Sequence, residues 1–341
     1  MPNVEGMTET MRAVAYRKSL PVSDPAALED VELPVPEPGP RDLLVRVEAV
    51  SVNPVDTKVR KGDDPGGTPK VLGWDAAGVV TAVGPEVTLF EVGDEVYYAG
   101  SITRPGANSR YHAVDERIAG HKPRTLGFAE AAALPLTTIT AWETLFDRFR
   151  LDPGSTGTLL VLGAAGGVGS MVVQLARALT GLTVIGTASR PESQEWVRKM
   201  GAHEVADHHD LVASVRAVAP QGVDYVFSPK TDGQIEAYAE LLRPGGQITA
   251  IDEPEGLELL PLKAKSIAFH WELMFTRPIF QTDDMIAQHD LLEKVAELID
   301  AGTLRTTLTT ELSPIEAATL RKAHEILESG RTIGKVVLTG F

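Results

Sequence analysis

The chain has 341 residues, 43% hydrophobic and 23% charged, enough for two domains with sizeable buried cores. Its formal net charge of −15 repels phosphate, which argues against general binding to nucleic acid or anionic membranes, although a few local donors can still hold an anionic cofactor. No cysteine is present, so disulfides, thiolate nucleophiles and cysteine–zinc sites are excluded.

Met1 to Thr10 has no basic stretch followed by an apolar core, so it does not read as a signal peptide. No apolar run approaches the length of a membrane span, and a cytoplasmic protein is expected. Met7 and Met11 are both plausible starts, with the polar residues before Met11 forming a loose tail. Met11–Tyr16 reads as a first strand. Pro34, Pro36, Pro38 and Pro40 then predict an extended connection, because proline fixes φ and cannot donate to a ladder. Asp42–Val52 alternates as a strand, Gly84-Pro85 marks a turn, and Val92–Tyr97 supplies a turn and a short strand. No recurring unit suggests an array. Around Phe128 the texture changes, and Ala129–Leu134 and Thr138–Phe149 look helical.

Thr158–Leu162 is an apolar run of the kind that forms a buried parallel strand, and it ends in Gly163-Ala164-Ala165-Gly166-Gly167-Val168-Gly169. Val168, Met171, Val172, Leu175 and Leu179 follow at helical spacing. Strand, glycine turn and helix in succession open a nucleotide-binding βαβ unit. Backbone N–H groups at the helix start can cradle a pyrophosphate, and missing Cβ atoms let it come close. The competing reading, an ordinary βα turn, lacks a reason for this context on both sides. Strands at Thr183–Thr187, Glu204–Val205, Val223–Phe227 and Gln247–Ile251 alternate with helices at Glu192–Met200, Leu211–Val218 and Gly233–Leu242. That alternation predicts a doubly wound parallel sheet. Ser266–Leu273 alternates as an outer strand, and Met285–Ala301 forms an amphipathic helix. Ser313 is the expected N-cap of a helix running to Glu328, with Pro314 at its first position. Lys335–Leu338 closes the chain as a strand returning to the first domain.

About twenty residues after the glycine turn, an NAD site places Asp or Glu to accept from the ribose 2′-OH. Here the strand ends in Thr187-Ala188-Ser189-Arg190, without an acid. Arg190 can pair with a 2′-phosphate and Ser189 can donate to it, which favours NADP(H), against the plainer reading of a solvated loop arginine. His203, His208 and His209 with Asp207 and Asp210 read as a polar loop rather than a metal site, and His270 as structural.

Several further segments carry a likeness. Ser51-Val52-Asn53-Pro54-Val55-Asp56-Thr57-Lys58, Gly73-Trp74-Asp75-Ala76-Ala77-Gly78, Val92–Val96, Ala131–Thr138, the glycine turn and Gly334–Leu338 together resemble the medium-chain dehydrogenase/reductase superfamily. The resemblance is to its quinone oxidoreductase branch and the zinc-type alcohol-dehydrogenase-like bacterial members, over nearly the whole chain and in order. One departure is Ala164, where many dinucleotide fingerprints have a glycine. The resemblance implies an α/β fold with a GroES-like β-rich catalytic domain (1–130 and 276–341), split by a Rossmann NADP(H)-binding domain (131–275), and an active site in the cleft between them.

In zinc-dependent relatives three positions hold the catalytic ion, usually as Cys, His and Cys. By resemblance those positions are Asn53, Trp74 and Leu136 here, and the proton-relaying hydroxyl falls at Val55. An indole and an isobutyl group cannot coordinate zinc, and a single amide is a poor ligand. No metal is therefore expected, and the favoured reaction is hydride transfer from NADPH to a quinone or an α,β-unsaturated carbonyl, whose conjugation carries the developing charge. Asn53 is the first candidate hydrogen-bond donor, with Thr57 and Thr138 as helpers; Trp74 and Leu136 would line the substrate pocket, Trp74 being equally readable as core. Thr140 would lie beside the nicotinamide, with Ser228 and Ile251 facing its ribose or ring. Two alternatives stay open: an NADP-dependent alcohol or aldehyde oxidoreductase, and a non-catalytic NADPH-binding protein. In relatives the edge equivalent to Ser266–Leu273 pairs with its twofold mate, which implies a homodimer.

Overall fold

The computed structural model describes residues 9–341, so the expected amino-terminal tail falls, up to residue 8, outside the described residues. The chain divides into two compact units. The first takes the chain up to Leu136 together with Phe275–Gly302 and Leu308–Phe341; the second takes Thr137–Met274 and Thr303–Thr307.

In chain order, β1 (Thr10–Tyr16), β2 (Glu29–Pro34) and β3 (Asp42–Ser51) precede α1 (Pro54–Gly62) and β4 (Lys70–Val71). Next come β5 (Asp75–Val83), β6 (Glu95–Tyr98), β7 (Tyr111–Asp115), β8 (Ala119–His121), α2 (Phe128–Ala132) and α3 (Pro135–Trp142). The nucleotide-type section runs β9 (Thr156–Val161), α4 (Gly167–Leu179), β10 (Gly181–Thr187), α5 (Pro191–Met200), β11 (Glu204–Ala206) and α6 (Leu211–Val218). It continues with β12 (Val223–Ser228), α7 (Ile235–Leu241), β13 (Leu242–Ala250) and β14 (Ala268–Trp271). Last are α8 (Thr276–Phe280), α9 (Ala287–Asp300), β15 (Leu308–Leu312), α10 (Ala317–Glu328) and β16 (Lys335–Thr339).

The first unit is the expected GroES-like β domain. It holds a three-stranded sheet, β2-β1-β4, and a larger sheet ordered β15-β16-β3-β5-β6-β8, with β7 also on β3. Strand β3 pairs with β5, β7 and β16, so almost all of it is buried. The two positions of β3 that are not buried, Arg46 and Glu48, pair with each other at 2.8 Å. The carboxy-terminal β16 lies antiparallel to β3, with Val337 opposite Ser51.

The second unit is a Rossmann-like parallel sheet ordered β11-β10-β9-β12-β13-β14. Its order reverses between β9 and β12, the switch point beside which such sheets bind ligands. Leu160, Ile185, Val226 and Ile248 of the strands share a core with Leu211 and Val215 of α6 and Tyr238 and Leu241 of α7. A Cβ at Gly186 of β10 would lie 2.5 Å from Val197 of α5 and 2.8 Å from the Ala164 side chain, so only glycine admits that packing. Both faces of the sheet are covered, which is why β9 reads as a continuous apolar run.

Three predicted elements change. The helix expected over Thr138–Phe149 stops at Trp142 and continues as a wider π turn, Glu143–Arg148. The last helix starts at Ala317, not after Ser313, because Glu316 is still extended (φ −150°, ψ 166°) and serves as the N-cap. The outer strand shortens to β14, since Ser266 adopts a left-handed φ of 50° at the end of the preceding turn.

At the π turn, Glu143 and Glu272 are both buried, and one guanidinium, Arg148, lies 2.7 Å from Glu272. One positive charge cannot neutralise two buried carboxylates, so the pair retains a proton. Burial first and the neighbouring Glu143 carboxyl second push Glu272 up to about 9, with Arg148 opposing. A folded-state value above the unfolded one gives stabilisation that is complete below about pH 4.3 and is lost as pH rises toward 9. Glu272→Gln is expected to flatten that decline, which costs the wild-type protein up to about 1.4 kcal/mol per pH unit. Urea unfolding between pH 5.5 and 9 measures it; an unchanged slope in the variant would contradict the shared proton.

Candidate active site

The glycine turn is built by strand ends on both sides. Leu162 N–H donates to Phe227 O of β12 at 3.0 Å, which ties the end of β9 to the switch point. Gly163 takes φ 61°, and Gly166 N–H closes the turn onto Gly163 O at 2.9 Å. Gly163 N–H donates to the Thr187 hydroxyl at the end of β10, 3.0 Å away. A Cβ on Gly169 would sit 2.4 Å from Gly163 O, so the helix start can close onto the turn only without a side chain there. The first bond into α4 runs from Ser170 N–H to Gly166 O. The N–H groups of Gly167, Val168 and Gly169 are therefore those that a helix N-terminus leaves for a ligand, and Ala165–Val168 are partly exposed around them. The Trp196 indole of α5 donates to Ser170 Oγ at 2.8 Å and fixes α5 against α4. This cradle fits a dinucleotide pyrophosphate.

Ser189 and Arg190 are half-buried at the end of β10, Arg190 being the N-cap of α5. The Arg190 guanidinium lies 3.2 Å from Glu192, in the first turn of that helix. The sequence reading found no carboxylate at the strand end; the fold supplies one two residues later, held by the arginine itself. Beyond β12, the Ser228 hydroxyl is committed internally, donating to Lys230 O at 2.8 Å and sharing a hydrogen bond with Tyr238. Any contact from that position to a ligand is left to the backbone. Ile251 N–H donates to Ser228 O at 3.2 Å, and Ile251 is half-buried. In α3, Thr138 and Thr140 are buried; the Thr138 hydroxyl has no hydrogen-bond partner among the described residues.

The candidates of the first unit meet in a buried polar centre. Asn53 precedes α1 with Pro54 at the first helical position, and the Asp56 carboxylate turns back to accept from Asn53 N–H at 2.6 Å and from Gly73 N–H at 3.1 Å. Burial pushes Asp56 up to about 7. Asp75 accepts from the Asn53 amide at 2.9 Å and, through its other oxygen, from Leu136 N–H at 2.8 Å. Lys335 of β16 donates to Asn53 Oδ1 at 2.5 Å, Val52 O at 2.9 Å and Asp75 Oδ2 at 3.1 Å. Burial displaces Asp75 upward and Lys335 downward, and the charge of each opposes the displacement of the other. The remaining Asn53 amide hydrogen faces Ser51 O at 3.4 Å. Asn53, expected as a donor toward substrate, thus has its amide committed to this network. Thr57 Oγ1 donates to Pro54 O at 2.9 Å, within its own helix. Trp74 is fully buried, edge-on to Phe275 at 6.2 Å, and its indole N–H has no partner among the described residues.

Zinc does not fit this centre. Its three expected ligand positions hold an amide whose oxygen faces an ammonium, an indole and an isobutyl group. Among the described residues no group of three or more His, Asp or Glu is arranged to hold a metal ion. His203 instead accepts from Val184 N–H at 2.9 Å, and the rings of His208 and His209 lie against each other. Lys335 was missed from sequence because it acts on Asn53 across 282 residues; the Gly334-Lys335 segment was legible as a strand start and as part of the family likeness, without a role for the lysine.

The alcohol dehydrogenase GroES-like domain family matches residues 39–143, and the zinc-binding dehydrogenase family matches residues 200–338. A zinc-type alcohol dehydrogenase-like protein of Staphylococcus aureus (strain MSSA476) is 42% identical over 335 residues, covering 96% of this chain and 99% of that protein. A quinone oxidoreductase of Pseudomonas aeruginosa is 34% identical over 321 residues, covering 92% and 96%. Among solved structures, one from Rhizobium etli CFN 42, described as a candidate zinc-dependent alcohol dehydrogenase protein, superposes with a TM-score of 0.95 at 54% identity, over 98% of this chain and 99% of that one. The Escherichia coli quinone oxidoreductase complexed with NADPH gives 0.80 at 25% identity, over 97% and 100%.

Proposed function

The chain belongs to the medium-chain dehydrogenase/reductase superfamily of oxidoreductases, and we propose that within it the protein reduces quinones or α,β-unsaturated carbonyls with NADPH and without zinc. The observation that carries this reading is the donor set at Asn53, Trp74 and Leu136, which offers a metal nothing to bind. An acceptor reduced there has to carry the developing negative charge by its own conjugation, helped by hydrogen bonds rather than by a Lewis acid.

When bound, NADPH supplies the hydride. The N–H groups of Gly167, Val168 and Gly169 hold its pyrophosphate, with Gly163, Ala165 and Gly166 shaping the turn. Ser189 and Arg190 take the 2′-phosphate, for which Arg190 must leave Glu192. Thr140, Ile251 and the backbone at Ser228 are assigned to the nicotinamide end, and Trp74 and Leu136 to an apolar wall for the acceptor. Of the three candidate donors, Thr138 keeps a buried, uncommitted hydroxyl, and Asn53 and Thr57 act by holding their segment. No general acid is assigned, and water delivers the final proton. The NADPH complex of the E. coli relative supports the cofactor choice.

We also propose a homodimer formed along β14. This edge strand has a neighbour on one side only, and it leaves Trp271 and Leu273 about half exposed.

Three outcomes are expected. NADPH oxidation at 340 nm should proceed with a quinone or an enone, unaffected by chelator; turnover confined to an aldehyde, or tight NADPH binding with no turnover on any acceptor, would replace this reading with an alternative. Arg190→Ala should weaken NADPH by about ten-fold or more while leaving NADH nearly unchanged, by fluorescence titration; equal losses would remove the NADPH assignment. Light scattering at micromolar concentration should give twice the chain mass, and a monomer would refute the dimer.

A further inference from the structure

Metal ions join segments that are distant in sequence, and here three such segments are joined without one. Asp75 sits next to Trp74, takes the Asn53 amide on one carboxylate oxygen and takes the Leu136 backbone N–H on the other. Two of the three positions that the family resemblance assigns to metal ligands are thereby held by one side chain, and the third, Trp74, is its neighbour in the chain. Lys335 completes the arrangement. Its three ammonium hydrogens meet three oxygens, Val52 O, Asn53 Oδ1 and Asp75 Oδ2, at 2.5–3.1 Å, so the donor capacity of the group is saturated. These separations suit N–H···O bonds and exceed the roughly 2.0–2.2 Å of zinc–oxygen ligation. Asp56 lies close enough to add a second negative charge to the field at Lys335.

We propose that Asp75 and Lys335 do by hydrogen bonding what a metal does by coordination: the carboxylate gathers the segments of Asn53, Trp74 and Leu136, and the ammonium occupies the oxygen-lined position that a cation would need. Lys335 is thus a positioning residue and an internal counter-cation, and the centre refuses metal because it already holds a charge. The inference rests on the metal-free reading above, and its primary readouts are made on unreacted protein, so they stand whatever substrate is found.

The test uses the full-length protein. Wild-type protein equilibrated with Zn²⁺ and desalted is expected to retain far less than one zinc per chain, with a melting temperature unmoved by chelator. Lys335→Ala leaves three oxygens facing vacated space and is expected to melt about 10 °C lower. Ethylammonium or propylammonium ion should restore part of that loss, and propanol none, which separates a missing charge from missing bulk. In turnover, the same variant should raise the acceptor KM about ten-fold with the NADPH dissociation constant unchanged. Stoichiometric zinc in the wild-type protein, an unshifted melting temperature, or equal rescue by alcohol and ammonium would each overturn the proposal. If Lys335→Ala does not fold, Asp75→Asn combined with Lys335→Met removes both charges together. That double variant is expected to melt above Lys335→Met alone, and a double variant no more stable than the single one overturns the pairing.

Discussion

Inside the first unit, Asp56, Asp75 and Lys335 have almost no access to water, so each charge there must be balanced by another or surrendered. Asp75 and Lys335 balance each other, with the Asn53 amide between them. Asp56 takes two backbone N–H groups on its oxygens, and burial moves it to about 7. The loop entering α1, the turn before β5 and the start of α3 are held in place by this one arrangement. Everything proposed for the acceptor depends on those three segments keeping their positions.

The parts of this structure that were legible in sequence are the parts fixed by local chemistry. The glycine turn could be read because backbone approach and a helix start leave a compositional trace, and the alternation of strands and helices follows hydrophobic period. What escaped was set by tertiary partners. Nothing near Ser313 announces that Ile315 will donate to Gly340 or that Glu316 will stay extended, so that the helix begins at Ala317. The π turn at Glu143–Arg148 ends on an arginine that pairs with buried Glu272, 124 residues away. Thr187 supports Gly163 from 24 residues away. Glu192 was legible only as the start of a helix, and the fold places it 3.2 Å from the Arg190 guanidinium. At the candidate site the residue types were readable, whereas their hydrogen-bond commitments were not. Asn53 shows the difference, since an amide in sequence is a donor, and in the folded chain its donors already have acceptors.

The two units divide the chemistry along physical lines. A parallel sheet with its switch point at β9 and β12 collects backbone dipoles suited to a phosphate-bearing cofactor. The β unit collects buried charge that orders loops, and among its described residues no group of three or more His, Asp or Glu is arranged to hold a metal ion.

The position of β16 has a further consequence, one of timing. Strand β3 lacks its β16 neighbour, and Asp75 lacks its counter-charge, until residues 335–339 have been synthesised. All 138 residues of Thr137–Met274 leave the ribosome before that strand does. Domains ordinarily fold as units, amino-terminal first. In this chain the unit that begins first is the one that finishes last. Its partly paired strand and uncompensated carboxylate wait while the parallel sheet assembles, so the nascent protein passes through a stage in which the second unit can be complete and the first cannot.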